Sequence, residues 1–417
     1  MARQMKDSGV EWIGEIPEEW EVARLKTRFF FGKGLPITKE NLVPAGVPVV
    51  SYGQVHSKSN NGTSLSNELF RFVDESYLAT NPQSLVHRGD FIVADTSEDV
   101  EGCGNCVYVD SDLVLFAGYH TIILFDKAAR DNKYFAYLFQ SNEWRNQIRC
   151  KASGVKVFSI SRKILSDAYC TVPPTTEQTA ISTYLELKCA EIDKVVDQTR
   201  ATIEEYKKLK QAIITEAVTK GVRGPRPMKP SGVEWIGDIP EEWLFHKLKY
   251  VSSIKSGDYV DAQELSSDGM YPVYGGGEQI SSYHSYNVNE ETIIIGRVGA
   301  RCGCVTLTKQ KCWATDNALI LSTNMYTRFA YYLLTGANLN TLNTSNAQPL
   351  ITGTKIMNLV ISNPCKDEQQ EIAAYLDTKC AEIDLIIEKK EQLIEELGSY
   401  KKSLIYEYVT GKKEVTA

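Results

Sequence analysis

The hexapeptide Lys188-Cys189-Ala190-Glu191-Ile192-Asp193 occurs a second time, residue for residue, at Lys379-Cys380-Ala381-Glu382-Ile383-Asp384. Around each copy, seam positions recur at alternating spacings of four and three. The first seam runs through Leu185, Cys189, Ile192, Val196, Thr199, Ile203, Tyr206, Lys210, Ile213 and Ala217. The second runs through Leu376, Cys380, Ile383, Ile387, Lys390, Ile394, Leu397, Lys401, Leu404 and Tyr408. Such a 4-3 alternation is the a/d seam of a coiled coil. It predicts two helices, over about 177–220 and 368–412, each roughly 65 Å long at 1.5 Å per residue. Two polar residues interrupt each seam, Thr199 and Lys210 in one, Lys390 and Lys401 in the other. One stripe needs a partner, and the natural partner is the other copy.

A second repeat precedes each helix. Residues 8–20 read SGVEWIGEIPEEW and residues 231–243 read SGVEWIGDIPEEW, each followed by a leucine-lysine pair at Leu25-Lys26 and Leu248-Lys249. The order is therefore head, variable region, helix, twice over, and internal duplication is the first fact of the fold. Short β-type runs punctuated by glycine and proline fill both variable regions. Strands are expected at 47–53, 90–94 and 121–125, and correspondingly at 271–275, 292–296 and 318–321. An aromatic helix follows the last strand of each set, at 134–139 and 328–333. Residues 221–230, with Gly224-Pro225-Arg226-Pro227, read as a linker. The parse is 1–173, 174–220, 221–230, 231–364 and 365–417. The fold class is α+β, two mixed α/β domains joined by two long helices in an antiparallel coiled coil, with an internal pseudo-twofold.

Composition bounds the possibilities without choosing among them. Hydrophobic residues at 43% and charged residues at 24% are ordinary for a globular chain. No apolar run is long enough for a membrane span, and the start lacks the apolar core of a signal peptide. Ten cysteines in that setting suggest reduced thiols and a cytoplasmic location. The net charge of −7 sits mostly outside the variable regions: residues 21–173 carry 17 Lys+Arg against 16 Asp+Glu, and residues 365–417 carry 8 against 12. Cys103/Cys106 and Cys302/Cys304 lack the second well-spaced pair of a zinc site, so no metal is expected. Gly296–Arg301 has arginine where a dinucleotide fingerprint needs its last glycine, and no phosphate loop or catalytic constellation is legible.

Two like domains on an antiparallel helix pair match the local twofold of B-DNA, each domain meeting a groove in an equivalent way. Different inserts would then read different half-sites, with the helices as a ruler. Here the chain resembles the specificity subunit of a type I restriction-modification system, over essentially its whole length. The resemblance rests on the heads ending Ile-Pro-Glu-Glu-Trp, on the helix starts Glu177-Gln178 and Glu368-Gln369, and on the Glu-Ile-Asp strings. It implies two target-recognition domains reading a bipartite double-stranded DNA sequence and no catalysis by this chain. It also implies docking of two DNA adenine methyltransferase subunits and, for restriction, translocase subunits. S-adenosylmethionine, ATP and Mg would belong to those partners. The alternatives are a specificity subunit serving a fused methyltransferase-nuclease, and a scaffold that binds no DNA.

Base reading favours Arg, Lys, Asn and Gln, with hydroxyls and aromatics in support. In the first variable region the candidates are Tyr52, Gln54, His56, Lys58, Lys151, Lys156 and Arg162. In the second they are Arg297, Arg301, Asn346, Gln348 and Lys355. Trp12, Trp20, Trp235 and Trp243 are expected to anchor the heads by packing. Ile181, Val195 and Ile214 lie off the seam and suggest a second packing face, on the recognition domains or on a partner.

Overall fold

A computed structural model describes residues 3–127, 133–343 and 349–415. The chain divides into two compact units, Met1–Asp197 with Leu393–Ala417, and Gln198–Gln392. Each unit therefore holds the start of one long helix and the end of the other.

The first unit is built on a four-stranded antiparallel sheet. Its strands lie in the order Cys106–Tyr108, Phe91–Ala94, Thr121–Asp126, Phe29–Lys33. Phe91–Ala94 reads as an unbroken apolar run because both its faces are covered. Successive side chains of a strand point to opposite sides. Phe91 and Val93 join the cluster of the aromatic helix Lys133–Gln140, while Ile92 and Ala94 join Val50, Leu115 and Ala117 of a second sheet. That second sheet runs Arg71–Val73, Val47–Val50, Leu115–Ala117, Leu85–Val86, with the two middle strands parallel. Edge-to-face rings hold the helix down, Phe29 on Phe135 at 5.4 Å and Phe91 on Phe139 at 4.9 Å between centroids.

The second unit repeats this plan. Its four strands are ordered Ser252–Ser256, Ala318–Thr323, Thr292–Gly296, Val305–Thr308. The smaller sheet runs Glu278–Tyr283, Tyr271–Gly275, Trp313–Ala314, again with one parallel pair. Ile293 and Ile295 face the aromatic helix Thr327–Gly336, and Ile294 faces the other way, with Cys312 and Ala314. The expected strands and aromatic helices are thus present in both copies, except that the strand expected over 47–53 stops at Val50, where a Ser51–Gln54 capping box turns the chain into the short helix Tyr52–Val55.

The heads are anchored by burial and by charge. Trp20 and Trp243 are buried, and each indole N–H donates to a glutamate in the first turn of a long helix. The partners are Glu177 Oε2 at 2.8 Å and Glu368 Oε2 at 2.9 Å. An arginine completes each latch. Arg3 lies over the Trp20 ring and donates to both oxygens of Glu177, at 2.6 and 2.7 Å. Arg226 lies over the Trp243 ring and meets Glu368 Oε1 at 2.5 Å. Acidic side chains are favoured at a helix start, where the free N–H groups carry partial positive charge. The neighbouring glutamines turn back on the approach, Gln178 Nε2 to Pro173 O at 2.8 Å and Gln369 Nε2 to Pro364 O at 2.9 Å.

Residues 221–230, read from the sequence as a linker, are tied down within the second unit. Arg223 pairs with Glu371 at 2.7 Å, Arg226 with Glu368, and Met228–Pro230 is a strand of the second head, as Met5–Asp7 is of the first. The long helices span Thr175–Lys220 and Lys366–Val409, so the second ends short of residue 412. Gly411 stops it: its φ of +72° is a left-handed conformation, and a Cβ there would strike the Pro17 ring.

Within each unit the two helix segments run antiparallel. In the first, the Tyr184 and Tyr408 rings lie 4.6 Å apart, and Asp193 takes Lys401 Nζ at 2.6 and 2.7 Å. In the second, Asp384 takes Lys210 Nζ at 2.6 and 2.7 Å. These two seam lysines are therefore neutralised by the aspartate closing the repeated hexapeptide. Leu185, Cys189, Ile192, Ile203, Leu376, Cys380 and Ile383 are buried; Val196, Ile387 and Ile394 are partly so. Ile181 and Ile214 are buried in the cores of the first and second unit, so this off-seam face packs on the sheet-and-helix bodies; Val195 stays 43% exposed. At the far end of each pair a hydroxyl caps an orphan helix carbonyl: Thr171 Oγ1 donates to Val409 O, and Ser362 Oγ to Val218 O, both at 2.6 Å.

Removing a buried acceptor strands the charge left behind. Glu368→Ala, which orphans Arg226 and the Trp243 N–H, should lower the unfolding free energy by about 3–5 kcal/mol, read by urea denaturation of the full chain. Asp193→Ala, on the half-exposed pair, should cost only about 0.2–1 kcal/mol. Equal losses would show that the latch is not the anchor. Burial also pushes the Cys106 and Cys170 thiols up to about 12, whereas Cys150, Cys304 and Cys365 are exposed. Iodoacetamide near pH 8 should label those three first, with Cys106 and Cys170 reacting only on unfolding; early labelling of Cys106 would contradict its burial.

Candidate nucleic-acid interface

In the first unit four loop segments converge at the end of the central strand Phe91–Ala94, and backbone hydrogen bonds stitch them together. Gly118 N donates to Val50 O at 2.7 Å, Tyr52 N to Tyr119 O at 3.2 Å, Asp95 N to His120 O at 3.1 Å and Ile160 N to Asp95 O at 2.8 Å. His120 takes a φ of +54°, a left-handed backbone uncommon for a residue with a Cβ. Its ring joins those of Tyr52, His56 and Tyr119. The centroids of His120, His56 and Tyr119 lie 5.5, 6.4 and 5.6 Å from that of Tyr52.

The candidates at this end differ in what they are free to do. Both His56 nitrogens are engaged: Nε2 lies 2.8 Å from Thr96 O, and Nδ1 lies 3.1 Å from Asn105 Nδ2. With both ring nitrogens occupied inside the unit, His56 is placed as a brace between Thr96 and Asn105. Asn105 is itself held by Arg145, whose three nitrogens donate to Asn105 Oδ1 at 2.6 Å, Gln140 Oε1 at 2.6 Å and Phe139 O at 2.8 Å. Burial lowers the Arg145 pKa, and the brace Arg145–Asn105–His56–Thr96 has no counterpart among the sequence-based expectations. Gln54 Oε1 accepts from Ser51 N at 3.2 Å in a capping box. Lys58, Lys151 and Lys156 are exposed, and Arg162 lies over Phe31 at 5.5 Å.

Tyr52, Gln54, His56 and Tyr119 line a cleft of about 1190 Å³ that Lys401, Lys402 and Ile405 also line. Most of its charge is internally matched, Lys401 with Asp193, Lys133 with Glu186, Arg149 with Glu101. It is a polar cleft, not a cationic one.

The second unit presents a different surface at the corresponding strand end. Arg297 follows the central strand Thr292–Gly296, its N–H donating to Asn317 O at 3.1 Å and its carbonyl accepting from Ile351 N at 2.9 Å. The same two bonds are made by Asp95 in the first unit, so an arginine here stands where the other copy has an aspartate. Arg297, Lys249 and Lys255 surround a hollow of about 560 Å³ over Ile254 and Leu319, with no carboxylate among the described residues that line it. Arg301 is paired with Glu278 at 2.8 Å, and Lys355 Nζ donates to Leu342 O at 3.1 Å, so both are partly committed. Asn346 and Gln348 lie outside the described residues. Lys249 and Lys255 escaped the sequence reading. Their signal was the absence of acid between Glu242 and Asp258, a run that holds Lys247, Lys249 and Lys255.

Cys103 and Cys106 are buried, and Cys302 Sγ donates to Arg297 O at 3.3 Å, which makes these thiols packing groups. No described helix is long and apolar enough to cross a membrane.

Comparison with known proteins agrees with this arrangement. The family model described as type I restriction modification DNA specificity domain matches residues 17–205 and again 240–396. The MjaVIII type I restriction enzyme specificity subunit of Methanocaldococcus jannaschii is 23% identical over 453 residues, covering 96% of this chain and 94% of that one. The EcoprrI specificity subunit of Escherichia coli is 29% identical over 136 residues, 31% of this chain and 34% of its own. A structure from work on complex assembly and conformational transition of the type I R-M system superposes with a TM-score of 0.72 at 16% identity, covering 95% of this chain and 99% of the other. The family model accounts for both repeats and most of the chain, so this protein belongs to the type I restriction-modification DNA specificity family, as a specificity subunit rather than a catalytic one.

Proposed function

We propose that each unit reads one half of a split double-stranded DNA sequence, and that the chain carries this reading to two adenine methyltransferase subunits and to restriction subunits. The observation that supports it is the contrast between frame and face. The latch, the hydroxyl caps and the strand order recur in both units, whereas the loop ends diverge: aromatic and amide-rich in the first, cationic in the second. A frame that is constant around faces that differ suits two readers of unlike sequence. Phosphate contacts would position the DNA, and Gln54 and Arg297 are the residues assigned to base edges, Gln54 suiting adenine and Arg297 suiting guanine. Lys151, Lys156, Arg162, Lys249 and Lys255 are assigned to the backbone. Exposed apolar residues on the long helices, Leu187 at 58% and Leu385 at 51%, are assigned to partner subunits.

Modified-base sequencing tests this reading in an unmethylated host expressing the chain with its cognate methyltransferase subunit. The expected product is methyladenine in a motif of two short parts around a fixed gap. Gln54→Ala should relax one part only and Arg297→Ala the other only, each by about 1–3 kcal/mol of base discrimination. No modification by a complex shown to assemble would overturn the proposal. Spacing offers a separate check. Adding about two whole turns, roughly seven residues, to both long helices should lengthen the gap and leave both parts intact. Changed bases with an unchanged gap would refute a ruler.

A further inference from the structure

We infer that the hairpin Ser153–Ser159 is a major-groove finger whose apolar tip recognises the 5-methyl groups of thymine; this rests on the function proposed above. The hairpin leaves the end of helix Asn142–Arg149 and returns to the sheet edge. Ser153 and Ser159 exchange both backbone hydrogen bonds, at 3.3 and 2.8 Å, and Phe158-Ser159 pairs with Thr96-Ser97. Gly154 permits the turn: its φ is +150°, and a Cβ there would meet Val157 O at 1.9 Å. The finger is thus pinned at its base and closed tightly at its tip.

What the tip presents is unusual for a surface loop. Val155 is 93% exposed and Val157 49%, side by side with Lys156. Single exposed apolar residues need no explanation, but two at the end of a braced ribbon form an exposed apolar point. Around that point the charge is of one sign in sequence. Between Glu143 and Asp167 there is no acid and there are six arginines or lysines, among them Lys151, Lys156, Arg162 and Lys163. The acids of the adjoining loop are partly engaged, Asp99 Oδ1 with Gly102 N at 2.6 Å and Glu101 with Arg149 at 3.1 Å. Thr96, the finger's partner, is also the residue that braces His56, so the finger shares its footing with the Tyr52–Lys58 loop.

A two-stranded ribbon fits the major groove, and the one apolar group displayed there by a base pair is the thymine methyl. Lysines flanking an apolar point suit that target, the cations meeting phosphate on either side while valine methyls meet the thymine methyl. The minor groove shows no such group, and a valine is short for a wedge between bases.

The test uses the full chain in complex with its methyltransferase subunits and duplexes carrying the sequenced split motif. Deoxyuridine, which lacks only the methyl, replaces thymidine in one half-site at a time. The wild-type complex should lose about fourfold in affinity for each methyl contacted, in one half only. Val155→Ser should show the same loss on thymine DNA and no further loss with uracil. Lys156→Ala should weaken binding to both duplexes alike and reduce the salt slope by about one. Equal wild-type binding to thymine and uracil duplexes overturns the inference, as does a Val155→Ser complex that still senses the methyl or a half-site without thymine. A Val155→Ser loss equal on both duplexes overturns it in favour of a wedge. A wild-type complex with no sequence preference would instead overturn the functional reading underneath.

Discussion

A tryptophan, a glutamate and an arginine hold each half of this molecule in place. The glutamate sits in the first turn of a long helix, where the helix itself favours a negative charge. It takes the indole N–H from the head and faces an arginine stacked on the same indole, at Arg3–Trp20–Glu177 and again at Arg226–Trp243–Glu368. Burying a carboxylate is unfavourable unless it is paired, and here the indole N–H of the head and the charge of the arginine supply the pairing. The head can therefore dock in one orientation only. The strand that follows it, Glu21–Arg24 or Leu244–Lys247, pairs with the strand leading into the same helix, Tyr169–Val172 or Val360–Asn363. Every recognition loop hangs from that closure.

The closure also explains why the faces can diverge. The same backbone bond shuts both variable regions, Leu25 N to Ala168 O and Leu248 N to Leu359 O, each at 2.9 Å. What lies between needs only to present a central apolar strand, an aromatic helix and a second small sheet. The side chains at the strand ends are released from packing, which is where Asp95 in one copy becomes Arg297 in the other.

Much of this was legible from residue pattern. The 4-3 seam and the repeated hexapeptide locate both helices, and the apolar runs at 91–94 and 292–296 locate the central strands. Two groups were harder to see. Arg3 and Arg226 lie outside the thirteen-residue head repeat, although each stands two residues before a Met-Lys pair, which was the available signal. The brace through Arg145, Asn105 and His56 joins residues 40 and 49 positions apart, and no local pattern reports such a network. The seam lysines Lys210 and Lys401 looked like interruptions; their partners, Asp384 and Asp193, lie 174 and 208 residues away in the opposite helix. Polar loops are the least legible of all, because a solvated lysine and a phosphate-binding lysine have the same sequence.

If a constant frame carries two exchangeable readers, one graft tests it most directly. Residues 25–168 are replaced by residues 248–359, joining at the two ends of the equivalent closing bond, and the DNA methylated by the resulting complex is sequenced. The expected product is a methylated split palindrome in which both parts match the half formerly read by the second unit. Methylation of the original asymmetric motif, or of an unrelated contiguous one, would contradict the exchangeable frame.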